Sequence, residues 1–328
     1  MIKILSLSTA ALALSITPAA SQTNDAKQGK AAEASFSVSI PDTLFAGERT
    51  REMLVTQILL DAAGHSPGVI DGYGGGNTSR AIAAFELANG LNSDGKIDAK
   101  TSAALRKGSE GGLLRHYALS EADVAGPYKT VPGGMAAQAK QDRLGYASAV
   151  EALAEKFHMA QGLLEALNPE VDFATAKAGT QITVAAVRNS QLPAVARIEV
   201  DKAKSEVRAY DGDGKMVASY PATVGSNDFP SPSGKMKVAA IAADANYTFD
   251  PTDQEWGGDT ALTLPPGPNN PVGGVWIDLG KDGYGIHGSP DPKLIGKTAS
   301  HGCVRLTNWD ARKLMGAVKA GEAEVVFV

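Results

Sequence analysis

Cys303 is the sole cysteine among 328 residues, so no disulfide can close within the chain. Any fold it adopts must be held by packed cores. The surroundings of Cys303 are as restrictive as its solitude. From Ile286 to Leu306 the chain reads I-H-G-S-P-D-P-K-L-I-G-K-T-A-S-H-G-C-V-R-L, which brings His287, His301 and Arg305 close to the thiol in sequence. A thiolate is a good nucleophile beside an imidazole that can take a proton and return it. Gly288 and Gly302 leave backbone exposed next to the key side chains, which suits N–H donors for an oxyanion. An isolated cysteine would read as a small buried hydrophobe; two histidines and a run of small residues favour a nucleophile. One cysteine and two histidines lack the fourth ligand and the spacing of a structural zinc site, so neither metal nor cofactor is expected.

The chain opens with Lys3, a short apolar run from Ile4 to Ile16 and small residues at Ala19, Ala20 and Ser21. These are the three parts of a secretory signal peptide, expected over 1–21. The run is too short and too interrupted by Ser and Thr for a membrane anchor. The expectation is a protein exported across the inner membrane to the periplasm or cell wall. There an unpaired thiol is exposed to oxidation, which argues against a merely structural role. The net charge of −5 gives no basic footprint for nucleic acid.

A polar lead-in is expected over 22–48. Residues 49–107 carry helical periodicity at Met53, Leu54, Ile58 and Leu59, and again at Ala81, Ile82, Ala84 and Phe85, around the breaker-rich G-H-S-P-G-V-I-D-G-Y-G-G-G-N. Residues 108–142 read as a linker. Over 143–190, two helical faces (Val150, Leu153, Ala154, Phe157; then Leu163, Leu164, Leu167) precede a strand at G-T-Q-I-T-V, and His158 reads as a surface or packing residue of that helix. From about 195 to 328 short alternating strands and turn residues suggest a mostly-β, sandwich-like domain. One helix there starts at the capping-box-like Thr307-x-x-Asp310 and carries Ala311, Leu314, Met315 and Val318 on its buried face.

H-G-S-P…I-G…S-H-G-C-V-R-L, with P-S-P-S-G (230–234) and L-P-P-G-P-N-N-P-V-G (264–273) upstream, resembles the signature of the YkuD-type L,D-transpeptidases, cysteine enzymes that cross-link bacterial peptidoglycan. The pattern V-T-Q-I-L-L…G-V-I-D-G…T-S-R-A-I-A-A-F is similar to the small helical peptidoglycan-binding domain, and 143–190 resembles a LysM-like glycan-binding module, although its first strand cannot be placed. The whole is thus expected to be a multidomain α+β protein with a C-terminal catalytic domain. The resemblance implies that Cys303 attacks the carbonyl of the third stem residue, typically diaminopimelate, releases D-alanine and passes the acyl group to an amine. It favours His287 as base, oriented by the Gly288 carbonyl. His301, two residues before Cys303, competes for that role on the residues alone. Backbone N–H groups at His301, Gly302 and Cys303 would hold the oxyanion. Arg305 and Ser300 are candidates for substrate contact: the arginine fork matches a carboxylate, and a structural carboxylate or backbone would satisfy it equally well. Peptidoglycan stems and glycan strands are the implied partners, with a protein lysine as a further acceptor. The other readings are an L,D-carboxypeptidase on the same fold and a non-catalytic wall-binding scaffold. A papain-like peptidase places Cys before His, the reverse of the order here.

Overall fold

The computed structural model describes Val38 and residues 42–107, 112–187, 191–251 and 260–328. The expected signal peptide and most of the lead-in lie outside them. Three helices come first, α1 (Arg51–Ala62), α2 (Gly76–Ala88) and α3 (Ala99–Lys107). Thr50 caps α1 by accepting from the Met53 amide, and Leu59, Leu60, Ala81, Ile82, Phe85 and Leu105 close a small core. The glycine-rich turn after α1 is pinned by Gln57. Its Oε1 accepts from the Asp71 and Gly72 amides, and its Nε2 donates to Asp71 Oδ1, Tyr73 O and Thr78 Oγ1. A loop with so many backbone options keeps one shape because a buried amide satisfies it.

Residues 108–142, expected as a linker, carry β1 (Leu114–Ala118), α4 (Glu121–Ala125) and α5 (Met135–Gln138). Helices α6 (Ala149–Lys156) and α7 (Gln161–Leu167) and strand β2 (Gln181–Ala185) follow. Strand β1 pairs antiparallel with β2, Leu114 opposite Ala185, and so supplies the strand that could not be placed. The five residues L-R-H-Y-A alternate too briefly to stand out from a polar stretch. The core of this second module is shared: Leu54, Ile58 and Ile70 of the first module pack with Leu114, Leu153, Phe157, Leu163 and Leu164. Leu44, in a 3-10 turn at Asp42–Phe45, joins them, so ordered packing begins before residue 48. Backbone bonds reinforce the seam, Ile70 N to His158 O at 2.8 Å and Ala160 N to Ile70 O at 2.9 Å. His158 is buried there rather than at the surface, bonded to Asp61 at 2.7 Å and stacked on Trp309 at 5.2 Å.

The rest of the chain is β-rich: β3 (Arg197–Asp201), β4 (Glu206–Tyr210), β5 (Met216–Pro221), β6 (Gly234–Lys237), β7 (Ala240–Ala243), β8 (Tyr247–Phe249), β9 (Leu262–Leu264), β10 (Val275–Asp278), β11 (Gly285–His287), β12 (Val304–Arg305), helix α8 (Asn308–Met315) and β13 (Glu324–Phe327). One sheet runs β5-β4-β3-β13-β6 and the other β12-β11-β10-β7. Their inner faces, including Ile198, Val207 and Val325 from the first and Val275, Ile277, Ile286 and Val304 from the second, share a core with Ala311 and Leu314 of α8. Residues 234–243 form two strands, β6 and β7, in different sheets. The chain switches at buried Val238, whose amide goes to Ala323 O while that of Ala239 goes to Asp278 O. Thr307 caps α8 by accepting from the Asp310 amide. The helix stops at Met315, so Val318 is buried beyond its end. No helix among the described residues is long and apolar enough to cross a membrane.

Candidate active site

Strand β12 runs parallel to β11, with Ile286 opposite Val304 and His287 opposite Arg305. On the other side of β11, β10 runs antiparallel with Trp276 opposite His287. Side chains alternate across a sheet. Ile277, Ile286 and Val304 therefore enter the core, while Trp276, His287 and Arg305 share the opposite face. Cys303, two positions before Arg305, opens on that side, its Sγ 3.1 Å from the Gly283 carbonyl. The parallel pairing thus brings the two ends of the motif alongside each other, His287 opposite the residue two beyond Cys303.

His287 is buried, with Nδ1 2.6 Å from Gly288 O. A carbonyl only accepts, so Nδ1 carries the proton and Nε2 is left as the basic nitrogen. The Trp276 ring stacks on the imidazole, centroids 5.6 Å apart. Burial, followed by the Arg305 charge, brings the imidazole pKa down to about 4, against the opposing pull of the Gly288 carbonyl. Burial also holds the Cys303 thiol above its ordinary range, although the Gly285 backbone and Arg305 both favour the thiolate. The resting pair is consequently thiol and neutral imidazole, not an ion pair.

The remaining expected residues fall into place around it. His301 is exposed, with its ring 4.7 Å from that of Phe229. Ser300, expected to meet substrate, is buried and works inside the loop: its hydroxyl donates to Cys303 O at 2.6 Å and accepts from Gly302 N at 3.2 Å. The Gly302 amide is thereby used internally. Gly302 takes φ +114°, and a Cβ there would lie 2.9 Å from the Tyr284 ring. Ser231, in P-S-P-S-G, donates to Gly302 O at 2.7 Å and accepts from Gly225 N at 2.8 Å. Arg305 exchanges backbone bonds with Thr223. Among the described residues its guanidinium has no carboxylate partner and its buried Nε no acceptor.

Gly288 lies against Asn308, the first residue of α8. Asn308 Oδ1 accepts from the Ser289 amide at 2.8 Å, and a Cβ on either Gly288 or Gly273 would overlap that oxygen. Asn308, Trp276, Tyr284 and Ser231 are site residues that sequence reasoning missed. Trp276 had a readable signal in its alternation with Ile277 in V-W-I-D, and Ser231 in its place within P-S-P-S-G. The span from 244 to 270 contains the antiparallel pair β8–β9. Phe249 and Leu264 are buried within it and Tyr247 is half-buried; Trp256 lies outside the described residues. The return limb of this hairpin is clasped by the second module: Leu144 N donates to Pro266 O and Asn269 N to Leu144 O, both at 3.0 Å.

The fold and this constellation define a class. Residues 195–327 match the L,D-transpeptidase catalytic domain, YkuD, and residues 49–105 match a putative peptidoglycan binding domain. The chain is 28% identical over 172 residues to the putative L,D-transpeptidase YkuD of Bacillus licheniformis, covering 52% of this chain and 89% of that protein. It is 30% identical over 135 residues to the putative L,D-transpeptidase YqjB of Bacillus subtilis, covering 40% of this chain and 70% of that one. Against the probable L,D-transpeptidase ErfK/SrfK of Escherichia coli it is 31% identical over 166 residues, spanning about half of each, 48% and 52%. The chain belongs to the L,D-transpeptidase (YkuD) family. A solved L,D-transpeptidase from Xylanimonas cellulosilytica superposes over 86% of this chain and 95% of that one at 18% identity and a TM-score of 0.38, too loosely to bear on the site. The two family matches leave 143–190 uncovered, so the LysM-like reading of that module gains no support from them.

Proposed function

We propose that the protein joins peptidoglycan stem peptides by acyl transfer through a thioester on Cys303. The observation that carries this is the pairing of β11 with β12, which sets neutral His287 opposite Arg305, two residues from Cys303, with no carboxylate partner for the guanidinium among the described residues. Cys303 Sγ attacks the carbonyl of the third stem residue, diaminopimelate, as His287 Nε2 takes the thiol proton. The resulting imidazolium hands that proton to the departing D-alanine nitrogen, leaving the thioester. An acceptor amine then attacks, its proton passes to His287, and the amide forms as the thiol is restored. The proton relay is the main service of the imidazole, since an amine anion cannot leave near neutrality. A base at pKa about 4 is in its proton-accepting form throughout the neutral range.

The Cys303 amide has no protein acceptor among the described residues and is the proposed oxyanion donor, Gly302 N–H being held by Ser300. Arg305 pairs with a substrate carboxylate. The first module holds the enzyme on the wall, and the reaction takes place outside the cytoplasm. Water at about 55 M competes for the thioester, so transfer requires an acceptor bound close to it, where effective molarities reach about 10⁵ M or more. The experiment is mass spectrometry of products from purified tetrapeptide donor with a diaminopimelate-containing acceptor. A cross-linked dimer with loss of D-alanine is expected; tripeptide alone at saturating acceptor would make the protein an L,D-carboxypeptidase.

A further inference from the structure

We infer that Glu155, on helix α6 of the second module, is a positioning residue for the chemistry at Cys303, acting through Asn308 on the turn that orients His287. The inference rests on the reading of Cys303 and His287 as the reacting pair. Glu155 is buried and all of its carboxylate is used. Oε1 accepts from Tyr146 Oη at 2.7 Å and Arg312 Nη1 at 2.8 Å, and Oε2 accepts from Asn308 Nδ2 at 2.9 Å. Asn308, fully buried, spends its second amide hydrogen on Pro268 O at 3.1 Å and its oxygen on Ser289 N.

A side-chain amide can flip, exchanging donor for acceptor, unless its partners forbid it. Two acceptors on the nitrogen side and one N–H on the oxygen side forbid it here. Glu155 supplies the nearer and the charged one of those acceptors, and charge-assisted bonds are the stronger kind. Without Glu155, the nitrogen side keeps only the weaker acceptor Pro268 O to oppose a flip, which would set an NH2 against the Ser289 amide and push the turn away. The same turn carries Gly288 O, the one acceptor for His287 Nδ1, and Gly288 and Gly273 have no side chain where Asn308 Oδ1 sits. A shift of Asn308 therefore reaches the ring through two contacts. A carboxylate in a different module, 153 positions from Asn308 in sequence, thus sets which nitrogen of His287 bears the proton.

The test uses the full chain carrying Glu155→Ala and Glu155→Gln, with Tyr146→Phe and Arg312→Met as controls that strip the other partners of Glu155 and leave Asn308 alone. Long-range ¹H–¹⁵N spectra of the histidine rings, with His287 assigned by loss of its signals in His287→Gln, report the tautomer. Expected are a single Nδ1-protonated form in the wild type, mixed tautomers in Glu155→Ala, and a fall in kcat of about three- to tenfold with KM unchanged. Glu155→Gln, which keeps an oxygen for Asn308, recovers most of both, and the two controls retain the wild-type tautomer. If Glu155→Ala does not fold, Glu155→Leu, which fills the lost volume, carries the same expectation. A wild-type tautomer and kcat in the alanine or leucine variant overturns the inference, as does an equal loss in the controls. Should Cys303→Ala still release D-alanine, the proposed reaction falls, and the tautomer spectra still decide whether Glu155 positions the ring.

Discussion

The two halves of the site are held in different ways. Around Cys303 itself the support comes from within the catalytic domain: Ser300 ties the loop to itself, Ser231 braces Gly302, and Thr223 pairs with Arg305, while Asn77 and Arg80 of α2 reach only the earlier part of the segment, at Ile295 O and Gly296 O. The histidine side is supported from outside. Its turn rests on Asn308, and the first turn of α8 is fixed by both other modules, through Glu155 to Asn308 and through Ser66 to Asp310 at 2.9 Å. The immediate braces of Cys303 thus lie within one domain, while those of the His287 turn reach into both others.

The largest effect expected falls on the cysteine half. Cys303→Ala should abolish D-alanine release with an unchanged melting temperature, because only a half-buried thiol is lost. His287→Ala should cost about 10²–10⁴-fold, and exposed His301→Ala only a few-fold. The reverse order between the histidines would move the relay to His301. Next comes Gly288→Ala, whose Cβ would overlap Asn308 Oδ1; a displaced turn should lower kcat about 10²-fold. Near-wild-type kcat would show that the histidine half tolerates movement, and the contrast between the halves would collapse.

The thiol's titration sharpens the comparison further. Burial raises the Cys303 pKa, so the protonated form dominates at neutrality and only the thiolate alkylates. Iodoacetamide labelling should climb about tenfold per pH unit from 6 to 8. A plateau already at pH 6 would mean that the two halves meet as an ion pair in the resting enzyme. Ser231→Ala should produce the smallest change, about 1–3 kcal/mol in urea unfolding, since it strands Gly225 N and removes a bond to Gly302 O. A matching collapse in activity beyond that loss would show the cysteine side to be as dependent on a remote brace as the histidine side.

Much of the site's local framework is legible in the amino-acid sequence. His287, Cys303 and Arg305 stand within one segment, and Thr307 and Asp310 announce the start of α8 in their spacing. Local signals of this kind survive because a cap or a short motif is a contact between neighbours. Glu155 leaves no such trace: its place on α6 fits an ordinary amphipathic helix, and nothing in a helical period says that one acidic residue is buried against Asn308. Leu44 and β1 escape for a related reason, being short pieces whose apolar residues complete a core built mostly by others. Ser300 is visible as part of the motif, but its partners are the loop's own backbone, and residue type alone does not tell an inward hydroxyl from an outward one.

The close approach of Leu144 to Gly267 has a consequence for how such genes can be assembled. Gly267 takes φ +145°, and a Cβ there would overlap the Leu144 carbonyl, so the seam between second module and hairpin limb is keyed to a residue with no side chain. A crossover that cuts near residue 190 and imports a foreign catalytic half brings in a limb shaped for another neighbour. The cassette that can travel between genes is therefore larger than the catalytic domain: it has to carry Leu144 and Gly267 together, although the two family domains lie apart in sequence.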